Sequence, residues 1–153
     1  IGPGIFASVI AGKTIANALE AEDYSQNSLW NYNTEYVRNY GYQMASFEIL
    51  RRFLQIVLNE KISYGMKHFL SADDVEKITS REHPSFDKVN MFNPLMLYKI
   101  LTHWSLAKEL RYTATKSNQL VTHSQNYPES PESFPEWQNK LHLLLNDAYS
   151  RFS

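Results

Sequence analysis

The side chains able to do chemistry in this sequence are scattered rather than grouped. Its five histidines, His68, His83, His103, His123 and His142, include no pair at i,i+4 spacing. None therefore has the helical arrangement that zinc hydrolases use, and a structural or surface role is expected for each. No metal site is expected. Carboxylates such as Glu48 and Glu60 sit in helical patterns without a paired partner, so no general acid–base set is legible. The chain has no cysteine, which removes disulfides, thiolate nucleophiles and thiolate metal ligands. Glycine-rich phosphate loops, the serine nucleophile elbow and the HExxH motif are also absent. What remains is the opening run Ile1-Gly2-Pro3-Gly4, which leads directly into an apolar helical pattern. A helix start offers free N–H groups and partial positive charge, and glycines there permit close approach to a ligand.

The elements that would position such a terminus read as helices throughout. The chain has 153 residues, enough for one ordinary domain with a sizeable core. Formal net charge is −1, so no basic face argues for nucleic acid. Aromatic residues make up 14% of the chain, an abundance that serves a core first and an apolar ligand wall second. Pro3 suits a first helical turn, and the first helix runs to about Ala21. Gly4, Ser8, Gly12 and Ala16 form a stripe of small side chains; Ile5, Phe6, Val9, Ile10, Ile15 and Leu19 cover much of the rest. Little polar surface predicts a buried helix. Gly12 costs about 1 kcal/mol relative to Ala, so something is expected to need the room.

A polar loop over 20–28 follows, with Ser28 as the expected N-cap. Leu29 to Leu58 has helical spacing, with Gly41 marking a bend or break. A short helix is expected over 63–70, and another opens at the Ser71 to Asp74 capping box. A loop covers 81–90. Asn93-Pro94 starts a helix to about Thr122, with Leu97, Ile100, Leu101, Trp104, Ala107, Leu110 and Ala114 on one face. Tyr127 to Pro135 is proline-rich and reads as loop. Ser133 to Glu136 resembles a capping box and starts a last helix, with Trp137, Leu141, Leu144, Leu145, Ala148 and Phe152 inward. No strand is expected: the fold class is all-α, as a multi-helix piece of a larger protein. The start at Ile1 without Met agrees with that expectation.

The larger protein is suggested by a resemblance. Residues 1–13 (IGPGIFASVIAGK) with Ile15 to Leu19 resemble the last helix of the flavin-binding domain in the geranylgeranyl reductase family. These are FAD-dependent enzymes of the p-hydroxybenzoate hydroxylase-like group, and the resemblance implies that this chain is the multi-helix C-terminal fragment of a larger α+β flavoprotein. Leu29 to Arg38 (LWNYNTEYVR), Tyr40-Gly41, Arg51 to Leu54 and Tyr64 to His68 are similar to its C-terminal region, in the same order. The likeness is best over residues 1–70. It implies two parts: 1–22 as the last helix of the FAD-binding domain, and 23–153 as a C-terminal helical domain. It implies FAD as cofactor of the parent, with Ile1, Gly2, Pro3 and Gly4 at the flavin, while the fragment alone neither retains it nor turns over. The family reduces carbon–carbon double bonds of isoprenoid chains, and Phe6, Tyr40, Met44, Phe47 and Met66 are the candidates to line the substrate. Expected partners are the isoprenoid lipid and the missing N-terminal FAD domain, with peripheral membrane contact and self-association. The implied setting is an archaeal cytoplasm at a membrane surface. The competing reading is an independent helical module that binds a partner protein.

Overall fold

The computed structural model describes residues 2–68, 76 and 101–152. Of Met66 and His68 it describes the backbone alone. The described residues are helical, without a strand, so the all-α expectation holds. Helix α1 spans Gly2–Glu20 and α2 spans Gln26–Tyr36. A π-helical turn, Val37–Gly41, connects α2 to α3 at Tyr42–Ile56, and α4 covers Asn59–His68. Helix α5 is Trp104–Gln125. After a short 3₁₀ turn at Pro131–Ser133, α6 runs from Phe134 to Arg151.

The central pairing is α3 on α5, with α6 packed across them. Ile49 and Phe53 from α3, Leu106 and Leu120 from α5, and Ala148 and Phe152 at the end of α6 make one buried cluster. The inward face of α5 mixes apolar with small polar residues. Thr113 and Ser117 are buried in it because each hydroxyl has a carbonyl to donate to: Thr113 to Glu109, Ser117 across the interface to Ser46 at 2.9 Å. A hydroxyl on a helix face permits closer approach than a leucine would, and here the bond also registers α5 against α3.

Charged side chains fasten the outer edges. Glu48 on α3 accepts from Arg51, from Arg52 and from the Tyr149 hydroxyl of α6 at 2.8 Å. Arg51 beside it is the main reason its carboxyl is held down to about 2. On the other side Arg151 makes a bidentate pair with Glu109, and Lys116 reaches Asp147 at 2.5 Å.

Several sequence expectations need correction. The N-cap of α2 is Ser25, whose hydroxyl accepts from the Ser28 amide; Ser28 itself lies inside the first turn. The expected rod from Leu29 to Leu58 is divided by the π-turn that ends at Gly41, as the glycine suggested. The later helix does not run unbroken to Thr122: His103 has φ −125° and ψ 42°, and α5 begins after it. Trp104 and Leu101 are exposed, so the inward face is set by Leu106, not by those residues. Ser133 makes no side-chain capping bond, because the 3₁₀ turn already feeds α6. The expectations over 71–74, for Leu97 and Ile100 and for the Asn93-Pro94 start lie outside the described residues.

Candidate functional site

The first helix is largely apolar, with Lys13, Asn17 and Glu20 along one edge, yet it is not buried. It packs chiefly on α2, burying Ile10, Thr14 and Ala18. Residues 100° apart per step place Ile5, Val9, Gly12, Ala16 and Leu19 on the opposite side. There Ile5 is 60% and Leu19 58% exposed. The buried helix expected from composition is therefore corrected: one face is covered within the chain, and the other is open because no described element reaches it.

The expected cofactor residues occupy the start of this helix. Gly2 and Gly4 are exposed and Pro3 is half-buried; Ile1 lies outside the described residues. No acidic side chain sits in the first turn. A Cβ built on Gly4 or on Gly12 meets nothing within 4 Å among the described residues. Packing among the described residues thus gives no reason for either glycine. A helix start with free amides, no competing carboxylate and open space at Gly4 fits an anionic or electron-rich ligand edge. The flavin that the resemblance implies meets that test.

The five expected substrate residues are partly assembled. Phe6, half-buried, lies 5.7 Å from Tyr40 and 6.4 Å from Tyr36, ring centre to ring centre. Tyr40 belongs to the π-turn, and Tyr36 and Tyr32 continue the ladder along α2. Met44 is 42% exposed and Phe47 half-buried; on α3 they continue the Tyr40 side at i+4 and i+7, away from the buried Ser46, Ile49 and Phe53. Met66 lies on α4, and its side chain is outside the described residues. The structure brings Phe6 and Tyr40 together and places Met44 and Phe47 on the same flank.

Sequence reading passed over a second feature. A groove of about 260 Å³ between α1 and α2 is lined by Ala11, Thr14, Ile15, Leu29 and Tyr32. Thr14 is only 4% exposed, and its hydroxyl has no hydrogen-bond partner among the described residues. The available signal was a threonine at i+4 from Ile10 on the most apolar helix of the chain.

Among the described residues no titratable cluster competes for a catalytic role. Glu48 is neutralised by two arginines, so it holds no proton near neutrality. His123 is buried and stacked on Trp137 at 4.7 Å; burial lowers its pKa. Its Nε2 lies 2.9 Å from the Trp137 carbonyl, while Trp137 Nε1 donates to the His123 carbonyl. His103 stacks on Tyr64. Among the described residues no group of three or more His, Asp or Glu can hold a metal ion, and no helix is long and apolar enough to cross a membrane.

No family model matches the chain. It is similar to digeranylgeranylglycerophospholipid reductase from Sulfolobus acidocaldarius, at 30% identity over 146 residues, which is 95% of this chain. The matched part is 32% of that enzyme, so the chain spans about a third of the length of the curated relative it matches. The likeness extends well past the residues that suggested it, because it continues through α5 and α6. This chain is homologous to a geranylgeranyl reductase, in the manner of a C-terminal region of that family.

Proposed function

We propose that this chain is the C-terminal region of an FAD-dependent oxidoreductase that reduces carbon–carbon double bonds of isoprenoid chains. The observation that carries the reading is the 30% identity to a reductase named for a digeranylgeranyl lipid, sustained over 95% of the chain. The open face of α1 supports it independently. An apolar helix with exposed Ile5, Val9, Ile15 and Leu19 is built to be covered. In this reading residues 1–22 complete an FAD-binding domain, and residues 23–153 close over the substrate.

Bound FAD would supply the hydride. The chain's own residues bind and polarise. Ile1 to Gly4 would meet the cofactor: Gly2 and Gly4 offer backbone N–H groups at the positive end of α1, where negative charge is stabilised by up to about 1 kcal/mol per exposed interaction. Pro3 offers no N–H and fixes the backbone turn instead. Phe6, Tyr40, Met44, Phe47 and Met66 would wall the isoprenoid chain and keep water from it. Contact of the parent with a membrane surface belongs to the same reading, since such a substrate is lipid.

The test is the visible spectrum of the full-length protein. Flavin bands bleached by dithionite and restored by a prenyl lipid acceptor are expected. Gly4→Val is expected to abolish flavin retention while helical content is unchanged. A colourless full-length protein, or a Gly4→Val variant with normal flavin content, overturns the reading.

A further inference from the structure

Helix α3 has a second ordered face. Met44, Phe47, Arg51 and Leu54 follow one another at spacings of three and four, so they share a stripe away from the buried Ser46, Ile49 and Phe53. Met44 is 42% and Leu54 43% exposed, and Phe47 is half-buried. Arg51 is the charged member of this otherwise apolar row, one turn beyond Phe47.

Arg51 does not stand alone. Arg52 lies beside it, and a single carboxylate, Glu48, serves both. Arg51 donates to it through Nε at 2.8 Å and Nη2 at 2.6 Å, and Arg52 through Nε at 3.3 Å. Glu48 is fixed in turn by the Tyr149 hydroxyl of α6, and the Arg52 guanidinium lies 4.3 Å from the centre of the Tyr149 ring. A helix-fastening pair is complete with one arginine; Arg52 adds charge that Glu48 does not balance. This stretch is therefore net positive in a chain whose formal charge is −1. Among the described residues, Arg51 Nη1 and both terminal nitrogens of Arg52 have no hydrogen-bond acceptor. Both side chains are open to a ligand, at 49% and 41% exposure.

The arrangement selects a chemistry. Guanidinium groups are planar donors matched to phosphate, which offers several oxygens around one centre. Held by Glu48 and Tyr149, the two arginines are ordered before a ligand arrives, which lowers the entropic cost of binding. Eleven residues, roughly 16 Å of helix, separate Arg51 from Tyr40. Tyr40 in turn lies 5.7 Å from Phe6 of α1. A long isoprenoid chain spans that interval, whereas a single isoprene unit does not.

We propose that Arg51 and Arg52, ordered by Glu48, bind the phosphate of an isoprenoid lipid whose chain lies along Phe47, Met44 and Tyr40. This rests on the reading that the parent acts on isoprenoid chains walled by those residues. It adds an anchor and a direction: the head is held at Arg51, and the chain runs toward Phe6 and the start of α1.

The experiment is equilibrium binding of radiolabelled geranylgeranyl phosphate and of geranylgeraniol to the full-length protein. Three proteins are compared: wild type, Arg51→Gln, and Arg51→Gln with Arg52→Gln. Helical content and melting temperature are recorded for each. The wild type is expected to bind the phosphate about tenfold more tightly than the alcohol, a preference that shrinks at high salt. Arg51→Gln is expected to weaken the phosphate about fivefold, and the double variant to abolish the preference, with affinity for the alcohol within about twofold of wild type. A merely structural arginine pair would lower the melting temperature and weaken both ligands alike. Excess inorganic phosphate is expected not to displace geranylgeranyl phosphate; displacement would mark a free-anion site and overturn the lipid assignment. Equal affinity of the wild type for the two ligands overturns the proposal whatever the variants do. So does wild-type affinity for the phosphate in either folded variant. The two readings fail separately. Arginine-dependent binding of the phosphate by a protein without flavin would sink the reductase and keep the head-group site. A working flavin reductase that binds phosphate and alcohol equally would do the opposite.

Discussion

At the scale of single residues, burial decides what the ionisable groups are worth. His123 is the clearest case. Its imidazole is desolvated between α5 and the start of α6, and Lys140 nearby adds to the cost of protonation. The hydrogen bond to the Trp137 carbonyl works in the other direction, and burial outweighs it. The folded pKa is therefore below the ordinary value of about 6.5. As pH falls through about 6.5, the unfolded chain takes up a proton that the folded chain resists. Stability conferred by the neutral imidazole is thus complete above that pH, declines below it, and levels off once the folded imidazole titrates. Urea unfolding at pH 7.5 and at pH 5 is expected to show lower stability at pH 5. His123→Gln is expected to flatten that difference while costing about 1–2 kcal/mol at pH 7.5 through the impaired contact with Trp137. An unaltered pH dependence in the variant would refute this account. Glu48 shows the opposite balance: its arginine partners outweigh desolvation, and its contribution is present above the ordinary carboxylate range and lost as pH falls toward 2.

At the scale of elements, the joint between α2 and the loop before α6 holds the N-terminal pair of helices to the rest. Trp30 Nε1 and the Thr34 hydroxyl both donate to the Pro128 carbonyl, each at 3.0 Å. Arg38 donates to the Tyr127 carbonyl through Nε and a terminal nitrogen, and pairs with Glu129. Trp30 also stacks on Tyr127 and meets Phe134 edge-on. Arg38 sits in the π-turn, where the extra residue per turn re-aims side chains relative to a regular helix. Arg38→Ala removes charged donors from a carbonyl that stays half-enclosed, so a loss of about 2 kcal/mol is expected in denaturant unfolding, with Glu129→Ala costing under about 1 kcal/mol because that pair is solvated. Equal losses for the two would place the energy in the ion pair instead.

These joints also mark how far the sequence could be read. Helix existence was legible wherever apolar spacing and a start signal coincided, as at Pro3 for α1 and along Trp137, Leu141, Leu144 and Ala148 for α6. Gly41 signalled the interruption, though not that it takes π form. The inward face of α5 was read in part: Leu110 and Ala114 do face the core, but Thr113 and Ser117 look like solvent-facing residues until their carbonyl partners are known, and those partners come from the helix's own backbone or from another element. Trp104 was misplaced for the converse reason: size argued for burial, but the break at His103 turned the helix away. In the candidate site, Phe6 and Tyr40 meet as an aromatic pair should, whereas the place of Thr14 four residues after Ile10 signals a buried threonine without telling a satisfied hydroxyl from an unsatisfied one.

At the scale of the whole molecule, one end is finished and the other is open. The cluster of Ile49, Phe53, Leu106, Leu120, Ala148 and Phe152 is closed, with ion pairs and tyrosine hydroxyls sealing its rim. Helix α1 lacks such a rim. Its outward side carries Ile5, Val9, Ile15 and Leu19 around Gly12 and Ala16, and covering each large side chain would stabilise by roughly 1 kcal/mol for the half now exposed. Contiguous apolar surface of this kind marks an association site. In solution, residues 1–153 alone are therefore expected to self-associate, with sedimentation that depends on protein concentration. Ile5→Gln with Val9→Gln is expected to shift the chain toward monomer with little change in helical content, since both side chains are more than half exposed. The same pair placed in the full-length protein is expected to lower its melting temperature and its flavin content together, because there the face would be covered by the flavin-binding part. A concentration-independent monomer with the native face, or a full-length double variant as stable as the wild type, would show that this face is left open by design and that the helical-module reading describes the chain better.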